Sequence, residues 1–86
     1  MNSVNFIKEA GQLIKDLGDH TVVRSFKSYE ESMRNAQNLQ KRVNSLFSGL
    51  QNPTLPSAFR LRDAAYDAGL QVDGRVLQRL SQFEHM

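Results

Sequence analysis

Cysteine is absent from this 86-residue chain, which excludes disulfides, thiolate metal sites and cysteine nucleophiles. One domain of this size sits where a single core barely suffices, so with no covalent staple the natural source of extra stability is oligomerisation. Proline occurs twice, at Pro53 and Pro56, close enough to make one break. No window approaches the eighteen or so apolar residues of a membrane span, and Met1 to Phe6 shows no basic stretch leading into an apolar run. A cytoplasmic protein without a membrane role is therefore expected. No charge of one sign dominates either, since the net charge is +2. Residues 1–19 balance to −1 and residues 51–86 to zero, so the basic excess of +3 falls on residues 20–50.

What is present is helical pattern. Val22, Phe26, Tyr29, Met33, Ala36, Gln40, Val43, Phe47 and Leu50 follow one another at alternating steps of four and three, which is a seven-residue repeat. Val23, Leu39 and Leu46 widen the seam into a stripe suited to a bundle. Asp19, His20 and Thr21 offer caps before it, and Gly49 with Asn52-Pro53 ends it. The spacing thus predicts one long helix over 21–49, a rod of roughly 44 Å. A compact chain of this length is only about 30 Å across. The rod should overhang its own globule, and its stripe should be covered in part by a second copy or by another protein's helix. Gln40, the one polar residue on the seam, can fix register or sit at a solvated edge.

The other elements are shorter. Phe6, Ile7, Ala10, Leu13, Ile14 and Leu17 share a face and predict a helix over 4–17, stopped by Gly18. Pro53 and Pro56 predict a rigid loop over 51–56, with Leu55 turned into the core. Ser57 caps a helix over 57–68 that ends at Gly69. Asp73 caps a last helix over 74–84, with Val72 and Leu77 at the positions of a hydrophobic staple. The expected fold is all-α, a single domain forming a small bundle of about four helices around the long one.

The supply of chemistry is thin. His20 at a predicted cap and His85 at the terminus have no neighbour at metal-ligand spacing. Glu30 and Glu31 point about 100° apart on a helix and make no carboxylate dyad. Phosphate-cradling glycine loops, nucleophile elbows and dinucleotide fingerprints are missing. No enzymatic activity, metal, cofactor or small-molecule substrate is expected.

Nucleic acid has two footholds. Lys27, Arg34 and Lys41 recur every seven residues, with Arg24 and Arg42 beside them, as a stripe able to track phosphates. Glu31 lies inside it and Glu30 is placed to pair with Arg34, so an ordinary solvated outer face is the leading account of it. From Leu61 to Leu80 the chain resembles a DNA-binding helix-turn-helix: Ala65 and Gly69 stand at its small residue and turn glycine. The resemblance covers about a quarter of the chain and implies a recognition helix presenting Arg75, Gln78 and Arg79. It departs from the pattern where Arg75 occupies a position that is usually aliphatic, with Val76 one place late. Asn52-Pro53-Thr54-Leu55-Pro56 also resembles the bend of bacterial export-needle subunits, but Gly69 and Gly74 interrupt the continuous C-terminal helix of that family.

The leading expectation is a non-enzymatic interaction module, of adaptor, chaperone or inhibitor type, that pairs with itself through Val22, Phe26, Tyr29, Met33, Ala36, Gln40, Val43 and Phe47. The second expectation is a small dimeric DNA-binding regulator.

Overall fold

The computed structural model describes residues 1–84, apart from the side chain of Arg24. His85 and Met86 lie outside the described residues, and the last helix, expected over 74–84, already ends at Ser81. Four helices form among the described residues, with no strand: α1 is Ser3–Val23, α2 is Tyr29–Ser48, α3 is Pro56–Asp67 and α4 is Gly74–Ser81. The body measures 42 × 22 × 17 Å. The small all-α bundle expected from the periodicity is present.

The long helix over 21–49 is not. Its first three residues belong to α1, which runs straight through Gly18, and α2 starts only at Tyr29. Between them Arg24–Phe26 make one 3-10 turn. Gly18 fails as a stop because the apolar face continues past it: Leu17 and His20 are both buried, and the Thr21 hydroxyl donates to the Leu17 carbonyl at 3.0 Å. Asp19, His20 and Thr21 are therefore helical, not capping. The break comes after the β-branched run Thr21-Val22-Val23, whose residues lose rotamer freedom in a helix. Ser28 then restarts the chain. Its extended backbone carries a side chain that accepts from the Glu31 amide at 3.2 Å, and Glu30 and Glu31 place negative charge in the first turn of α2.

α1 and α2 lie antiparallel. Asn35 is hydrogen-bonded through its side-chain nitrogen to His20 Nδ1 at 2.8 Å, Arg42 reaches Asp16 at 2.9 Å, and the rings of Phe6 and Phe47 are 6.4 Å apart. The hub of the bundle is α1, not α2. It packs against α3 even more extensively than against α2. Ala10, Ala58 and Ala65 are fully buried, and such small side chains let helices approach closely.

Phe6, Leu13, Leu17, Val43, Leu61 and Leu80 are the large side chains with essentially no exposure, each worth about 1.5–3 kcal/mol in burial. All the buried apolar residues of α2 lie from Leu39 onward. The core thus occupies one half of the elongated body. The other half is a hairpin tip made of the end of α1, the 3-10 turn and the start of α2.

The rest follows local rules. Asn52 accepts from the Thr54 amide at 3.0 Å, closing a turn that delivers Leu55 half-buried against the core. Helix α3 begins one residue earlier than expected: Leu55 is its N-cap, and Pro56 opens it in a position where the missing N–H costs nothing. Ser57 accordingly does not cap. At the far end Leu70 N donates to the Ala65 carbonyl at 2.8 Å and Gly69 N to that of Tyr66 at 2.9 Å. This is a Schellman ending, and it requires the positive φ of 76° at Gly69. Asp73 caps α4 by accepting from the Arg75 amide at 2.7 Å.

Candidate functional site

The structure divides the predicted stripe in two. Its C-terminal half is spent inside the molecule: Val43 and Phe47 are buried in the core, so they are not available to a partner. Gln40 marks the boundary. Its side-chain amide donates to the Gln71 carbonyl at 2.7 Å and accepts from the Gln71 amide at 2.9 Å. The polar seam residue therefore ties α2 to the segment between α3 and α4.

The N-terminal half is uncovered. Val22 is 69% exposed, Phe26 85%, Tyr29 76% and Met33 43%, with Ala36 half-buried beyond them. These residues gather at the hairpin tip, where α3 and α4 do not reach. Water-exposed single apolar side chains are ordinary, whereas two nearly bare aromatic rings with two more exposed apolar residues around one chain reversal make a patch. At the opposite end of α1, away from the tip, Val4 and Ile7 are exposed as well, although the helical spacing predicts Ile7 for the buried face.

A groove of about 910 Å³ opens between the C-terminal half of α2 and the segment around α4, lined among others by Gln40, Asn44, Phe47, Val72, Asp73, Arg75 and Arg79. Sequence reasoning did not foresee it, because its walls come from segments some thirty residues apart, joined by contacts such as that of Gln40 with Gln71.

The basic candidates do not form one track. Lys27 lies in the bend before α2, so only Arg34 and Lys41 remain seven apart on the helix. Arg42 is engaged with Asp16, whose carboxyl it holds below the usual carboxylate range; partial burial opposes this and the Gln12 amide supports it. Lys41 and Arg42 share a shallow cleft of about 410 Å³ with Glu9, so acid and base alternate there.

On the other candidate element, Arg79 donates to the Leu50 carbonyl at 3.3 Å and helps close the end of α2, while Arg75 and Gln78 are exposed. Residues 68–73 separate α3 from α4, longer than the three or four residues of a helix-turn-helix turn. Arg62 stacks over Phe59 at 5.4 Å and pairs with Asp63 and Glu84 at 3.0 and 3.1 Å, which fastens the C-terminal segment to α3.

Among the described residues no three side chains of metal-ligating type come together, and no helix is long and apolar enough to cross a membrane. Comparison with protein families, with curated proteins and with solved structures finds no match.

Proposed function

We propose that the protein is a non-enzymatic interaction module that pairs through the uncovered tip of its α1–α2 hairpin, with itself in the first place. The observation that carries this reading is the exposure of Phe26 and Tyr29, at 85% and 76%, on either side of the chain reversal between α1 and α2. Burying one such ring stabilises a complex by about 1.5–3 kcal/mol. Val22 and Met33 extend the surface, and the flexible thioether of Met33 adapts to the shape opposite it. Binding energy of this kind concentrates in a few aromatic anchors.

Sedimentation of the wild type beside Phe26→Asp tests it. The wild type should show concentration-dependent association, and the variant should remain monomeric while keeping its helical content, because Phe26 takes no part in the core. A wild type that sediments as a monomer up to about 100 µM, where even a contact worth roughly 6 kcal/mol would be well populated, removes the self-pairing.

A further inference from the structure

We infer that two copies lie antiparallel along α1, so that the isoleucines of each helix seat on the glycines of the other. The inference rests on the reading of the protein as a self-pairing module and adds the register and the surface that meets the tip.

One face of α1 has no use inside the molecule. Val4, Ile7, Gly11, Ile14, Gly18 and Val22 belong to a single unbroken helix, and at about 100° per residue they share an arc of about 80°. The arc holds no charged residue, and it lies beside the core face of Phe6, Leu13 and Leu17 instead of within it. Val4 is 74% exposed, Ile7 46% and Val22 69%, while Ile14 is half-buried.

The glycines are a second sign. Gly11 and Gly18 are exposed inside a helix, where glycine is among the least favourable residues. Neither has a positive φ, and a Cβ built on either meets nothing within 4 Å among the described residues. The folded chain alone gives no reason for bare backbone at these two points. A helix packed closely from outside does.

The spacing is self-complementary when the second helix runs the other way. With a two-fold axis crossing α1 midway between Gly11 and Ile14, Ile7 falls opposite Gly18 of the second copy and Ile14 opposite Gly11 of the second copy, each repeated by symmetry. Val4 comes beside Val22 of the second copy, about 1.5 Å apart along the helix axis. Two bulky side chains thus fill two hollows on each copy, and the apolar pair exposed at the start of α1 meets the tip residue that α1 itself carries. Parallel pairing would set isoleucine on isoleucine and glycine on glycine, holding the helices apart at some levels and leaving voids at others.

Charge does not oppose the arrangement. One border of the arc carries Lys8, Lys15 and Asp19, and the register places Lys8 of each copy between Asp19 and Lys15 of the other. The opposite border carries the uncharged Ser3 and Thr21. The area is sufficient as well: over the roughly 30 Å of a 21-residue helix, a contact as wide as one helix with its bordering side chains removes on the order of 500 Å² from each copy, so the pair reaches the roughly 1,000 Å² expected of a specific interface. A second copy is the occupant because the chain's own sequence supplies both the projections and the hollows at matching intervals.

The chain has no cysteine, so introduced thiols report without background. Val4→Cys and Val22→Cys, both at exposed positions, are made in separate chains of different mass, mixed, and joined with a short bis-maleimide. The 4-to-22 product should dominate over 4-to-4 and 22-to-22. Replacing Gly11 and Gly18 together by alanine should weaken association roughly tenfold or more in sedimentation, while raising the unfolding midpoint of the dilute monomer. These opposite signs separate a blocked seam from a damaged fold. If the wild type associates but the 22-to-22 product dominates, or if the paired alanines leave association unchanged, the antiparallel seam is overturned while the tip remains an interface. If the wild type never leaves the monomer, the seam and the self-pairing fall together.

Discussion

Alanine in place of Gly18 is the substitution that tests the continuity of α1 most directly, because the two conformations open to this residue give opposite signs. In the structure Gly18 lies inside Ser3–Val23, five residues from the end of the helix. It is exposed, and a Cβ built on it meets nothing within 4 Å. Gly69 is the glycine with positive φ. Alanine at an exposed helix interior is favoured over glycine by about 0.8–1.0 kcal/mol, partly because it narrows the unfolded ensemble. For a chain of this size that gain corresponds to a rise in Tm of about 4–8 °C. Had Gly18 instead closed a shorter helix in the left-handed conformation, alanine would be strained and the same change would destabilise. Urea and thermal unfolding of wild type and Gly18→Ala, followed by circular dichroism, decide the matter. A loss of stability, or a fall in helical signal, would refute a helix that passes unbroken through this position.

Three further outcomes follow from particular contacts. Ser28→Ala removes the acceptor that holds the Glu31 amide at 3.2 Å and should cost about 1 kcal/mol in urea unfolding; an unchanged midpoint would show that the cap does not define the start of α2. Arg42→Ala should cost roughly 0.2–1 kcal/mol, the range for partly exposed ion pairs, and should raise the Asp16 pKa in an NMR titration, since Arg42 is the main cause of its depression. A carboxylate depressed in the folded state contributes stability above its unfolded pKa of about 3.9 and loses it as pH falls through the folded value, so the variant should be less sensitive to acid in that window. Phe47→Ala should destabilise by about 3–5 kcal/mol because its ring is packed against Phe6 in the core, whereas Phe26→Ala, at the exposed tip, should leave the unfolding midpoint of the monomer within about 0.5 kcal/mol.

Much of the second half of the molecule was legible because its signals are local. Gly69 and Asp73 each act through hydrogen bonds to residues within a few positions of themselves, and Asn52-Pro53 closes its turn with Thr54. The first half misleads for an equally physical reason. Gly18 is strong punctuation when read alone, but a penalty of about 1 kcal/mol is small beside the burial of Leu17 and His20 on either side of it. The true boundary was written in Ser28-Tyr29-Glu30-Glu31, the Ser-x-x-Glu signature of a capping box, hidden because the seven-residue spacing of apolar residues runs across it without a change of phase. His20 carried a signal as well: Leu13, Leu17 and His20 fall four and three apart, which sets the imidazole on the core face. Gln40 carried none, since its partner is 31 residues away and no local rule reaches that far.

The pairing of Gln40 with Gln71 gives one side chain an architectural duty. By both giving and receiving a hydrogen bond at the same residue, the carboxamide imitates a neighbouring peptide unit, as though a single rung of sheet had been set into an otherwise helical body. Glutamate could receive but not give, asparagine is one methylene short, and leucine would leave the peptide groups of Gln71 without this partner. The groove between α2 and α4 therefore has a wall held in place by one amide, and a substitution at Gln40 would reshape that groove by releasing the segment at Gln71.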